Sequence, residues 1–272
     1  MARVNSVKLR LGKAERKMAA KVRVGIGGWT FAPWRGNFYP QSLRQKDELS
    51  YAAGHLTAIE INGTYYSGFS PATFAKWAAE TPDGFVFSVK ASRFCTNRRV
   101  LADGADSVNR FLTQGLVELG DRLGPILWQF MPTKAFDRDD MARFLDLLPP
   151  DLSGRRLRHV LEVRHDSFHD SRFIDLARER SVAVCLADHA TYPMIEALTA
   201  DFVYARLMQG KESNPTCYPP EDIAAWTRRF ADLAAGDPPR EVFAFFITGG
   251  KPRAPAGAMA MIEALGAIPR LP

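Results

Sequence analysis

The segment His159–His165 reads HVLEVRH, and its alternation decides the fold. Leu161 and Val163 fall on one face of an extended chain and Glu162 and Arg164 on the other, because successive side chains of a strand point to opposite sides. Such a strand has hydrocarbon on one side and something polar on the other. Seven more short apolar runs recur along the chain: VRVGIGGW (Val22–Trp29), AIEINGTYY (Ala58–Tyr66), FVFSVK (Phe85–Lys90), GPILWQFMP (Gly124–Pro132), VAVCLAD (Val182–Asp188), FVYARLMQG (Phe202–Gly210) and VFAFFITGG (Val242–Gly250). Segments of helical character separate most of them, and strands alternating with helices imply parallel pairing. Eight such units in 272 residues predict a single-domain α/β fold, a TIM-like (β/α)8 barrel over residues 22–272. Its working end is the C-terminal end of the strands.

The same alternation selects the site. In the second run Ile59 and Ile61 share one face, Glu60 and Asn62 the other; in the third, Phe85, Phe87 and Val89 alternate with Ser88 and Lys90. In the seventh, Val203, Ala205 and Leu207 alternate with Tyr204 and Arg206. The apolar sets suit a helix layer, so the polar sets point at the barrel axis, where bulky apolar side chains are the rule. An unpaired charge there costs several kcal/mol. Glu60, Glu162, Lys90, Arg164 and Arg206 are two acids against three bases, able to satisfy one another and leave a net positive hollow. A hollow of that sign suits a small anionic molecule. The alternative is a structural ion-pair network plugging the barrel.

Composition bounds the reading. The net charge is +6, but residues 1–21 carry seven basic residues against Glu15 alone. The remainder is therefore neutral, which disfavours extensive duplex binding and leaves nucleic acid as a less favoured partner. The tail reads as a flexible basic extension, as an arm for nucleic acid or an acidic partner, or as residues upstream of a true start at Met18. No run reaches the length of a membrane span. Cys95, Cys185 and Cys217 are an odd, scattered set, which argues against a disulfide framework and for a cytoplasmic protein.

Helices are predicted near Lys46–Gly54, Pro71–Thr81 (with Ser70 as N-cap), Asp106–Leu119, Arg138–Leu148 (preceded by Asp137), Ser171–Arg180, Tyr192–Leu198, Pro220–Ala235 and Ala256–Leu265. The aromatic stretch after the first strand, WTFAPWRGNFYPQSLRQKDELS, is expected to help build a cleft. Met208–Pro219 reads as a lid or a plain surface loop. Phe74, Trp77 and Trp128 read as packing between strands and helices.

The residue types suggest roles. Glu162, beside Arg164, should stay ionised and is the better base; Glu60 is an acid or a metal ligand. Lys90 suits stabilisation of negative charge or, if desolvated, action as a base or Schiff-base nucleophile. Arg164 and Arg206 suit bidentate anion recognition. Trp29, Trp34 and Tyr65 could stack on a ring or sugar face, and Asn62, Gln129, His165, Asp188 and Tyr204 complete the expected ligand contacts. There is no HExxH or HxH. His165, His169 and Asp188 lie near strand ends, so Mg²⁺ or another divalent metal remains an open cofactor. GIGGWT is no dinucleotide fingerprint, no GxSxG elbow occurs, and the glycines of GGKPR (249–253) offer backbone N–H groups to an anion.

GIGGW (25–29), FYP (38–40), EINGTYY (60–66), W..ETPDGFVFSVKASR (77–93), LG..LGPILWQFMP (119–132), EVRHDSF (162–168) and YARLMQG (204–210) together resemble domain of unknown function family 72. This is a bacterial and archaeal family of TIM-barrel-like proteins. The resemblance runs from Val22 to about Leu265. It implies the same barrel and points at Trp29, Glu60, Asn62, Tyr65, Lys90, Gln129, Glu162, Arg164, His165 and Arg206, but supplies no reaction. The family's barrel is distantly similar to the endonuclease-IV and xylose-isomerase group, an analogy of fold alone. Members commonly place asparagines after the last strand, where this chain has Ile247 and Thr248. The expectation is an enzyme of the hydrolase, lyase or isomerase kind, using acid–base chemistry on a small anionic or sugar-phosphate-like molecule. The alternatives are an endonuclease-IV-like metal-dependent nucleic-acid barrel and a non-catalytic ligand-binding protein.

Overall fold

The computed structural model describes residues 22–247 and 249–266. The basic segment 1–21, Thr248 and the last six residues lie outside the described residues, together with the expectations that fall on them.

One parallel sheet takes in β1 (Val22–Gly27), β2 (Ala58–Ile61), β3 (Val86–Lys90), β4 (Leu123–Gln129), β5 (His159–Glu162), β6 (Ala183–Val184), β7 (Leu186–Asp188), β8 (Phe202–Leu207) and β9 (Glu241–Phe246). Eight apolar runs become nine strands because the sixth run is interrupted at Cys185. Its first half pairs with β5, Leu161 opposite Val184, and its second half with β8, Arg206 opposite Ala187. With β9 pairing β1, these two half-strands bring the ends of the sheet together as a barrel. The strands meet tightly: a Cβ on Gly25 would lie 1.9 Å from the carbonyl oxygen of Ala58, so only glycine fits.

Around the barrel run α1 (Glu48–His55), α2 (Pro71–Ala79), α3 (Ala105–Thr113), α4 (Arg138–Asp146), α5 (Ser171–Glu179), α6 (Pro220–Ala235) and α7 (Ala254–Ala264). Polar side chains cap several starts: Ser70 accepts from the Thr73 N–H and Asp137 from the Asp140 N–H. Two helix expectations are corrected. The predicted helix Asp106–Leu119 stops at Thr113, because the chain turns through Gly115 at φ 124° and continues as a 3₁₀ segment, Leu116–Arg122. No helix forms over Tyr192–Leu198. Pro193 biases the residue before it toward extended backbone, and the Tyr192 ring is held flat against His189, centroids 3.6 Å apart.

Period two holds through the barrel wall. Val24, Ile59, Phe87, Ile126, Leu161, Val203 and Ala244 face the helices in one large apolar core, where Trp128 packs between Phe111 and Phe144. Ala58, Val86, Leu127, Val160, Ala183, Cys185, Phe243 and Phe245 fill the inside. Each large apolar side chain buried this way contributes about 1.5–3 kcal/mol. The floor of the barrel is closed by Glu241, which accepts from Arg23 at 2.5 Å and Arg158 at 2.6 Å. The charges predicted at the strand ends therefore lie above a filled interior rather than over a pore. No helix among the described residues is long and apolar enough to cross a membrane.

Candidate functional site

Glu60 ends the inward face of β2, Lys90 of β3, Gln129 of β4, Glu162 of β5 and Arg206 stands on β8. All five are buried. Arg206 is the hub. Its Nε and Nη2 donate to the two oxygens of Glu60, each at 3.1 Å, and its Nη1 donates to Glu162 Oε2. The other Glu162 oxygen accepts from Arg164 Nε at 2.7 Å and from Gln129 Nε2 at 3.0 Å. From below, the Tyr204 hydroxyl donates to Glu60 Oε2 at 2.7 Å and lies 2.7 Å from Ser88 Oγ.

The two carboxylates are thus filled by two guanidinium groups, an amide and a phenol. Burial pushes the Glu162 carboxyl up, and Arg206, Arg164 and Lys90 together outweigh it and hold it at about 2. A carboxylate held that low is a weak proton acceptor near neutrality. Both carboxylates are hydrogen-bonded to Arg206 and hold its guanidinium in place.

Lys90 is different. It is 8% exposed, and no hydrogen bond or ion pair joins its Nζ to another described residue. Its contact is the face of Tyr65, with Nζ 4.2 Å from the ring centroid; the Tyr65 hydroxyl accepts from Asn97 Nδ2 at 3.1 Å. Burial lowers the Lys90 amine, and repulsion by Arg206 and Arg164 adds to it. Attraction by Glu60 and Glu162 only partly offsets these, and the amine titrates at about 8 rather than 10.5. Arg164, with 18% of its side chain exposed, reaches the mouth surface. Its guanidinium lies 4.5 Å from the centroid of Tyr192, a contact no sequence spacing signals.

The other expected contacts divide. Asn62 stands half-buried at the edge of the cluster, its Nδ2 3.4 Å from the Glu60 carbonyl. Tyr204 is sealed beneath the cluster, away from solvent. Asp188 is buried beside it, its oxygens accepting from Gln209 Nε2 and the Tyr218 hydroxyl, each at 2.6 Å. Three expectations are corrected. Trp29 packs edge-on against Trp77 and near Phe87, in the helix layer. Trp34 is buried, its Nε1 donating to the Lys251 carbonyl at 2.9 Å, so the aromatic stretch is packing rather than a stacking wall. His165 lies past the end of β5, where its Nδ1 caps the turn Asp166–Phe168 by accepting from the Ser167 N–H. The loop Met208–Pro219 is tied down rather than open, since Gly250 N–H donates to the Gly210 carbonyl at 2.7 Å and Gln209 N–H to the Tyr218 hydroxyl at 2.7 Å.

A resident divalent metal does not fit these donors. Glu60 and Glu162 hold a guanidinium between them, Asp188 is filled, and among the described residues no three His, Cys, Asp or Glu side chains come together as ligands. Just past β9, Ile247 is buried among the inward apolar residues. A Cβ on Gly27 would come within 3.2 Å of its Cδ1.

Fold and cluster together describe a parallel α/β barrel with a charged mouth. The chain belongs to the family described as Protein of unknown function DUF72, whose model matches residues 23–271. UPF0759 protein YunF of Bacillus subtilis (strain 168) is 25% identical over 116 residues; the match spans 41% of this chain and 40% of that protein. The crystal structure of a DUF72 family protein from Enterococcus faecalis V583 is similar with a TM-score of 0.71 at 18% identity, over 90% of this chain and 95% of that one. A xylose isomerase-like TIM barrel/4-hydroxyphenylpyruvate dioxygenase fusion protein is similar with a TM-score of 0.51 at 16% identity, over 87% of this chain and 41% of that one. At these identities the solved structures establish the barrel fold and leave the chemistry to the site.

Proposed function

We propose that this barrel is an enzyme that binds a small anionic molecule at its C-terminal mouth and acts on it by proton transfer through Lys90. The observation that carries the reading is the unmatched amine: both neighbouring carboxylates are given to arginines, while Lys90 has only an aromatic face. A structural lysine at this depth would take a carboxylate partner, because burying a lone ammonium is costly. An amine titrating at about 8 holds a proton at neutral pH yet releases it at small cost, which suits general acid–base work. Arg164, at the surface of the mouth, supplies a second cation for a carboxylate or phosphate. A sugar-phosphate-like molecule carries a charge of the kind these cations would take.

Binding tests the reading directly. Titration calorimetry with inorganic phosphate and with glycolate, at pH 8 in buffers of different ionisation heat, should show saturable binding with proton uptake. An anion beside Lys90 favours the ammonium, which fixes that sign. Lys90→Met should bind neither probe while keeping the far-ultraviolet dichroism of the parent. Equal binding by the parent and Lys90→Met would sink the proposal.

A further inference from the structure

We infer that the Lys90 amine is a carbonyl-trapping nucleophile and that the substrate is a small anion with an aldehyde or ketone beside its acidic group, held as an imine on β3. The inference rests on the anion-binding reading and adds to it the class of molecule and the bond formed.

Four features of the mouth converge on it. Lys90 leaves the last position of β3, a rigid attachment whose neighbours β2 and β4 are hydrogen-bonded on both sides. Its Nζ makes no hydrogen bond or ion pair with a described residue, so its lone pair, once the proton has left, is not already committed. The charged groups around it, Glu60, Glu162, Arg164 and Arg206, are hydrogen-bonded to one another, and neither carboxylate pairs with the amine. The Tyr65 face 4.2 Å away stabilises a cation without donating or accepting a proton at nitrogen. It therefore serves an iminium as well as it serves an ammonium. The same desolvation and like-charge repulsion that lower the amine are the standard means of activating a lysine for this attack.

The step balances. Lys90 ammonium gives its proton to solvent, and the neutral nitrogen attacks the carbonyl carbon. The carbonyl π pair moves to oxygen, which takes a proton from water, while the newly four-bonded nitrogen returns one proton to solvent, to give a neutral carbinolamine. The nitrogen lone pair then expels that hydroxyl as water, with a second proton from solvent, to leave a protonated imine. The net change is one ammonium and one carbonyl converted to one iminium and one water, with no oxidant or reductant. The iminium draws electrons from the adjacent carbon, while the acidic group of the substrate faces Arg164.

Reductive trapping with glyoxylate and with pyruvate, using cyanoborohydride and peptide mass mapping of the full chain, decides the matter. The expected result is a reduced adduct on Lys90 formed at least tenfold faster than on any other lysine. Inorganic phosphate should suppress it, and Lys90→Arg should lack it. Acetaldehyde, which carries no acidic group, should label Lys90 with less preference. If phosphate binds with proton uptake as above but neither keto acid labels Lys90 selectively, the imine inference is overturned and the anion site stands. If neither binding nor labelling occurs, both fall. The mapping reads the parent protein, so a poorly folding variant does not rescue or remove the inference.

Discussion

Two lysines near carboxylates in this barrel have opposite surroundings. Lys134, with 13% of its side chain exposed, donates to Asp140 Oδ2 at 2.6 Å and to the Arg99 carbonyl at 2.7 Å. Asp140 in turn accepts from the Leu101 and Ala102 N–H groups at 2.8 and 3.1 Å. Burial pushes that carboxyl up, and Lys134 with the two amides outweighs it and holds it below the usual carboxylate range. Lys134 ties the segment after β4 to the turn before α3, and every charge there has a partner. Lys90 feels the attraction of two carboxylates, Glu60 and Glu162, yet pairs with neither among the described residues. A cluster that closes its own charge balance reads as architecture, and one that leaves a cation over reads as a place for a missing anion.

The largest way to break this contrast is to remove the hub of the mouth. Arg206→Leu leaves Glu60 and Glu162 facing each other in a buried site, and breaking a buried pair from one side costs about 3–5 kcal/mol. Urea unfolding at pH 7 should show that loss. The pH dependence has a definite sign. In the parent, Glu162 is depressed from 4.5 to about 2, so its contribution is present above about 4.5 and is lost as pH falls toward 2. In Arg206→Leu Glu162 loses the largest of the charges that hold it low, and protonating it relieves the repulsion between the two acids. The gap between variant and parent should therefore narrow from pH 7 to pH 4; a constant gap would mean the arginine does not balance these acids.

The same substitution should lower stability at one lysine and not at the other. Lys134→Met strips Asp140 of its cation and should cost about 1–3 kcal/mol in urea unfolding at pH 7. Lys90→Met removes a cation that burial and Arg206 disfavour, so it should leave stability unchanged or raise it by about 1 kcal/mol. Linkage gives a second check. A lysine lowered from 10.5 to about 8 on folding loses its proton first in the native state. Parent stability should therefore rise as pH climbs from about 8 toward 10.5, and Lys90→Met should lack that rise. A Lys90→Met protein as damaged as Lys134→Met would place both lysines in the architecture and remove the functional reading.

These outcomes bear on what the sequence could show. Strand parity found the inward charges because alternation is a local property, and Glu60, Lys90, Glu162 and Arg206 each sit within a strand. Parity carries no information past a strand end, and His165 stands three residues beyond Glu162, where the backbone turns to form a cap. Residue type misled at Trp29 and Trp34 because an aromatic after a strand is equally suited to a cleft or to the helix layer, and only tertiary packing distinguishes them. Pairing was beyond reach for another reason. Arg206 and Glu60 stand 146 positions apart, and which acid takes which base depends on barrel closure at the broken sixth run, Ala183–Asp188. The idle state of Lys90 could not be read until the carboxylates had been assigned elsewhere.

The smallest effect tests that assignment most finely. Arg164 acts on Lys90 twice: it repels the ammonium directly, and it occupies Glu162 Oε1. Arg164→Gln removes the repulsion and leaves Glu162 less fully engaged, so both changes favour the ammonium. The Lys90 amine should then titrate higher than about 8, by under about one unit for a partly exposed charge screened by water. The pH profile of Lys90 acetylation by a small acylating reagent, read by peptide mass mapping, reports that midpoint without needing a substrate. Stability should change little, because Glu162 keeps Arg206 and Gln129. An unmoved midpoint would mean Arg164 is too well solvated to govern the amine, and the activation of Lys90 would then rest on burial and Arg206 alone.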